Sequence, residues 1–201
     1  MIPIQALIVI FVISFVTNAT PFFGAPYTLI TASILLRYGV NPLSLFLAIL
    51  VSGLGASLSK IVMYGLGIAI RKPLKNNRNI QFLQRISKSL GFYLTLFILS
   101  IFPFLPLDDY IFLAAGIAKL NVIRLILISM AGKILKSGIE ISIEIAGIKL
   151  ISSLLGLNAF ELSIISVIVF SVVGVVLFKI DWEEIVKKGE EFLREKLKIN
   201  I

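Results

Sequence analysis

The chain lacks cysteine and histidine altogether. Disulfides, thiol nucleophiles, Cys/His metal sites and imidazole acid–base chemistry are therefore excluded together. Acid is scarce too: no Asp or Glu precedes Asp108. The 201 residues carry 19 Lys and Arg against 11 Asp and Glu, a formal net charge of +8. Hydrocarbon is what the chain has in excess. Hydrophobic residues make up 58% of it, and mean hydropathy is +1.04. A soluble domain of this length could not bury that much apolar surface, so the composition points to one all-α integral membrane domain. The N-terminal run lacks a basic segment and a small-residue cleavage site, so it reads as part of the mature chain.

The basic excess does not read as a nucleic-acid footprint. Arg71, Lys72, Lys75, Arg78, Arg85 and Lys88 fall in one connector that holds no acid. By the positive-inside rule this connector, 71–89, is cytoplasmic. It also suits anionic lipid head groups.

The apolar runs have unequal lengths. Residues 4–17 would cover about 21 Å of a bilayer core roughly 30 Å thick, too little to span. Pro21, Gly24 and Pro26 then break the helix, and a second short run reaches Arg37. Residues 43–70 are long enough to cross with tilt. The order then recurs: a short run at 90–101, a break at Pro103 and Pro106, a short run at 110–118, and a long run at 122–150. A broken short pair reads as a re-entrant hairpin that leaves on the side it entered, with its turn buried in protein or lining a wet cavity. Hairpin 1 (4–38) then dips in from outside and hairpin 2 (90–119) from the cytoplasm. Gly116 is grouped with the prolines and Gly24 as a hairpin-turn residue. The expected architecture is an inverted repeat of re-entrant hairpin plus transmembrane helix, with a site near the midplane. A further transmembrane helix at 160–180 completes the domain 1–180. The tail, 181–201, reads as a cytoplasmic amphipathic helix at the interface.

These elements resemble the DedA/VTT membrane family, the SNARE-associated Golgi proteins. The resemblance rests on Pro21-Phe22-Phe23-Gly24-Ala25-Pro26, Gly53-Leu54-Gly55-Ala56 and Tyr64-Gly65-Leu66-Gly67 in the first half. In the second half it rests on Phe102-Pro103 with Pro106, Ala114-Ala115-Gly116, Gly132-Lys133 and Gly147. It covers about residues 4–150 and is closest in pattern to archaeal-type members. It implies two opposed hairpins and lipid movement: polyprenyl-phosphate recycling coupled to ion gradients in bacterial members, phospholipid scrambling in eukaryotic ones. Where many bacterial members carry an acid after the first proline turn, this chain has Tyr27-Thr28. Where many carry arginines around the second, it has Ser100 and the Asp108-Asp109 pair.

Ionisable residues inside a membrane are expensive, so each is a functional candidate. Asp108 and Asp109 stand where the second arm of hairpin 2 should begin. One reading is a helix cap and its neighbour; the other is a proton or cation site. Lys133, Lys136, Glu140 and Glu144 share one face of the 122–150 helix, and Lys136 can pair with Glu140. They read as an internal ion-pair network or as a path for an anionic head group, with Lys60 placed similarly in the 43–70 helix. The glycines at 53, 55, 65 and 67 are expected to let helices approach closely.

The expected function is a flippase or scramblase of the plasma membrane for an anionic phospholipid or polyprenyl phosphate, with proton coupling through the carboxylates as an option. The alternatives are an ion-coupled small-solute or cation exchanger on the same fold, or a non-transporting assembly factor. An enzyme is not expected, because the catalytic residue types are missing. No metal and no cofactor are expected. The expected partners are membrane lipids, not nucleic acid, with room for a homo-oligomer.

Overall fold

The computed structural model describes residues 2–20, 26–74, 77–101 and 107–156, with positions 161 and 165, and the described residues are all-helical with no strand. Helix α1 is Ile4–Ala19, α2 Tyr27–Tyr38, α3 Pro42–Leu58, α4 Lys60–Ala69, α5 Arg71–Leu74, α6 Arg78–Ile86, α7 Leu90–Ile101, α8 Leu107–Ala118 and α9 Val122–Leu155. Pro26 is the N-cap of α2, where its fixed φ and missing N–H cost nothing. Asn41 caps α3 by accepting from the Ser44 N–H at 2.9 Å, with Pro42 at the first helical position. The long helices lack comparable breakers. The proposed turn residues Pro21, Gly24, Pro103 and Pro106 lie outside the described residues, as do the helices expected at 160–180 and 181–201 apart from the helical positions Glu161 and Ile165.

Three boundaries differ from the sequence reading. Gly116 is not a turn residue: it lies inside α8, near its C-terminal end. The connector 71–89 is not a plain loop, since α5 and α6 fall within it. On α6, Ile80 is buried and Leu83 half-buried against Ile117 and Ala118, which gives this polar segment one apolar side to bury. The 43–70 run is α3 and α4 joined through Ser59. Ser59 keeps helical dihedrals, but its hydroxyl bonds back to the Ala56 carbonyl at 2.7 Å and the ladder tightens to Val62 N–H on Ser59 O at 2.9 Å. Together α3 and α4 make one 28-residue helix, Pro42–Ala69, long and apolar enough to cross a bilayer.

The packing is reciprocal. Helix α1 lies on α3 and α7 lies on α9, whereas α2 crosses to α9 and α8 crosses to α4. Helices α1 and α7 therefore each lie on the long helix that follows in sequence, and α2 and α8 each lie on the other long helix. Two apolar clusters result. Ile10, Leu29, Leu35 and Ala48 gather round Ile141, Ile145 and Ile148 at the C-terminal half of α9. Met63, Phe92, Leu96 and Phe112 gather round Leu125 and Ile126 at its N-terminal half. The buried polar side chains of α9 lie between these clusters.

Close approach is arranged by glycine. A Cβ on Gly67 would strike the Leu113 carbonyl oxygen, and one on Gly116 the Tyr64 carbonyl oxygen, so α4 and α8 touch backbone to backbone. Gly53 and Gly55 similarly abut Ile134 and Phe11. Gly65 differs from the expectation, with nothing within 4 Å of an added Cβ.

Candidate functional site

Four charged side chains meet where the first turn of α8 enters the fold. Lys60 opens α4, Asp108 and Asp109 occupy the first turn of α8, and Lys133 sits in α9. Their exposures are 2%, 1%, 2% and 3%, so water screens none of them. Lys133 Nζ stands 2.8 Å from Asp108 Oδ2, as an ion pair, and Lys60 Nζ stands 3.6 Å from the same oxygen. Lys60 Nζ also donates to Asp109 Oδ1. Two positive and two negative charges thus compensate one another. Burial of unpaired charge is prohibitive, and pairing is what makes this cluster tolerable. The two acids stand at the positive end of α8, which adds to their stability as anions. Neither acid is left over for solvent: both are buried and ion-paired.

A second cluster forms where α2 enters. The Thr28 hydroxyl lies 2.8 Å from Glu144 Oε1 and 3.3 Å from Glu140 Oε2. One hydroxyl proton serves one of them at a time. Glu144 Oε2 is buried with no hydrogen-bond partner. Lys136 Nζ lies 3.8 Å from Glu140 Oε1, the i,i+4 pair anticipated from spacing. Between the clusters, Tyr27 and Ser137 join through their hydroxyls at 3.4 Å, and Ser52 donates to Ser137 at 3.3 Å. Beyond Lys133, Ser100 donates to Ser129 at 3.3 Å.

One face of α9 therefore carries Ser129, Lys133, Ser137, Glu140 and Glu144 at helical spacing, and each has a polar partner on another helix. The seam receives the first turns of both α2 and α8. The same offset of 80 positions relates Thr28 to Asp108 and Lys60 to Glu140. So the contact Thr28–Glu140 and the contact Asp108–Lys60 involve residues that stand 80 positions apart on each side.

The sequence-derived candidates Lys60, Asp108, Asp109 and Lys133 come together; Lys136, Glu140 and Glu144 form the separate cluster. Sequence reasoning missed Ser52, whose one signal is a hydroxyl on an apolar helix, and it gave Thr28 no role beyond its place after Pro26. Among the described residues, no group of three or more acids could hold a metal ion. A shallow surface depression, lined by Gln81, Gln84, Arg85 and Lys88, has none of the seam residues in its walls. No family model, no curated protein and no solved structure matches the chain.

Proposed function

We propose that the chain is a DedA/VTT-type membrane protein of two opposed re-entrant hairpins that moves an anionic lipid head group across the bilayer along the polar seam of α9. The observation that carries this reading is the buried seam itself, reached by the second arms of both hairpins, in a chain whose outward face is hydrocarbon. On α1 the exposed side chains include Ile4, Ile8, Val12 and Val16, while Ser14 is buried; on α7, Leu90, Leu94 and Ile98 face out and Ser100 faces in. Apolar outside and polar inside is the reverse of a soluble helix bundle and suits a lipid surround. The reciprocal packing and the shared offset of 80 support an internal repeat. Orientation rests on the basic connector, which sets 71–89 in the cytoplasm. In this reading the lipid chains stay in the bilayer, Lys60, Lys133 and Lys136 attract the head group, and Asp108, Asp109 and Glu140 supply whatever proton coupling the cycle has.

A second reading, a cation exchanger, is favoured by the Thr28–Glu140–Glu144 cluster, where two carboxylates share one hydroxyl and one nearby lysine. Reconstituted vesicles separate the two. With Lys133 and Lys136 both changed to alanine, flip of labelled phosphatidate and of a labelled polyprenyl phosphate should fall to the protein-free rate while any cation flux persists. Wild-type flip no faster than in empty vesicles, for both lipids, would sink the lipid reading.

A further inference from the structure

Lys60 and Lys133 are the ammonium groups best placed to hold a head-group phosphate, yet each already has an anion on it. We propose that Asp108 and Asp109 are resident counter-anions that keep this site shut, and that a cargo phosphate must displace them from Lys60 and Lys133. The inference rests on the transport reading above and adds how the site is closed.

Three features of the geometry carry it. First, a carboxylate oxygen 2.8 Å from Lys133 Nζ and 3.6 Å from Lys60 Nζ is placed as a phosphate oxygen would be, between two ammonium groups. Second, both acids belong to one turn of one helix, whereas the lysines belong to α4 and α9. A single displacement of the start of α8 would free both lysines together. Third, the two ends of α8 are held by different means. At the far end Gly116 lies against Gly67, Arg71 Nε donates to Ile117 O at 3.0 Å and Gln84 Nε2 donates to Ala118 O at 2.9 Å. That end is fixed by close packing and hydrogen bonds that an anion does not contest. The near end carries the ion pairs, the one kind of contact that an incoming anion replaces like for like. Helix α8 is thus anchored at its C-terminus and latched electrostatically at its N-terminus.

The test titrates dioctanoyl phosphatidate onto the full chain in phosphatidylcholine nanodiscs. The Asp108→Asn/Asp109→Asn double variant should bind at least tenfold more tightly than wild type, with dioctanoylglycerol binding unchanged. Equal or weaker phosphatidate binding by a folded, monodisperse double variant would overturn the proposal. Inorganic phosphate binding as tightly as phosphatidate would overturn the head-group source. Should the variant fail to fold, wild type is read instead with a membrane-permeant carbodiimide. Modification of Asp108 or Asp109 should rise several-fold with phosphatidate and stay level with dioctanoylglycerol; no rise at saturating phosphatidate overturns the latch. The flip assay keeps the two readings apart. Tighter binding without wild-type flip sinks transport and leaves the latch, whereas flip with unaltered variant affinity sinks the latch and leaves transport.

Discussion

The first turn of α2 brings a hydroxyl to two carboxylates of α9, whereas the first turn of α8 brings two carboxylates to the ammonium groups of α4 and α9. The same offset of 80 positions relates Thr28 to Asp108 and Lys60 to Glu140, but the chemistry is opposite. At the α8 tip every charge has a counter-charge and exposure is 3% or less. At the α2 tip one acid has a lysine at 3.8 Å and the other leans on Thr28. The two helix starts thus meet one seam with different chemistry, one through buried ion pairs and the other through a looser polar contact. The energetic consequence is asymmetric. Removing one member of a buried ion pair strands its partner, while removing a neutral hydroxyl leaves carboxylates that are only half-buried, one of them with Lys136 at 3.8 Å.

The largest effect is therefore expected at the α8 tip. Lys133→Met should lower stability by about 3–5 kcal/mol, because Asp108 loses its nearer counter-ion in a buried site. Thermal unfolding in detergent measures it. The double change Asp108→Leu/Lys133→Met should recover most of the loss, since an apolar pair needs no compensation. Failure to recover would mean that the pair shapes α8 in a way charge balance does not capture.

Next is the helix crossing that carries the tip. Gly116→Ala places a methyl group on the Tyr64 carbonyl and must push α8 from α4, costing about 1–3 kcal/mol or more and loosening Asp109 from Lys60. Gly65→Ala on the same helix α4 meets open space and should gain up to about 1 kcal/mol from helix propensity. If both substitutions act alike, the backbone contact at Gly67 and Gly116 is not what seats α8.

Smaller again is the α2 tip. Thr28→Val should cost about 1–3 kcal/mol by removing the donor shared by Glu140 and Glu144, and Thr28→Ser should restore most of it. A Thr28→Val loss as large as that of Lys133→Met would erase the contrast between the tips. Smallest of all is Arg85→Gln on α6, which should stay within about 0.5 kcal/mol in the same unfolding assay, because Arg85 is exposed.

Much of the helix plan was legible because proline and run length are local signals. The starts of α2 near Tyr27 and α8 near Leu107 and the long helix from Val122 follow from them directly. The polar face of α9 was legible from spacing alone, and so was the Lys136–Glu140 pair. The joining of Lys60 to Asp109 was not, since 49 positions of chain separate them and nothing in either segment names the other. It depends on α8 crossing to the long helix of the other half. Helix α6 is hard to read from sequence because its basic residues resemble a solvated connector, although Ile80, Leu83 and Ile86 recur every third residue. Gly116 was grouped with the turn by its neighbourhood, when its missing side chain answers to Tyr64 and Gly67 across the α4–α8 contact.

The most direct test of the central claim compares the two tips by function. Flip of labelled phosphatidate is measured in vesicles holding wild type, the Lys60→Gln/Lys133→Gln variant, or Thr28→Val, against protein-free vesicles. Wild type should exceed the protein-free rate, the double lysine variant should fall back to it, and Thr28→Val should lose less. A wild-type rate equal to that of empty vesicles, or a double lysine variant that flips phosphatidate as fast as wild type, would contradict the central claim.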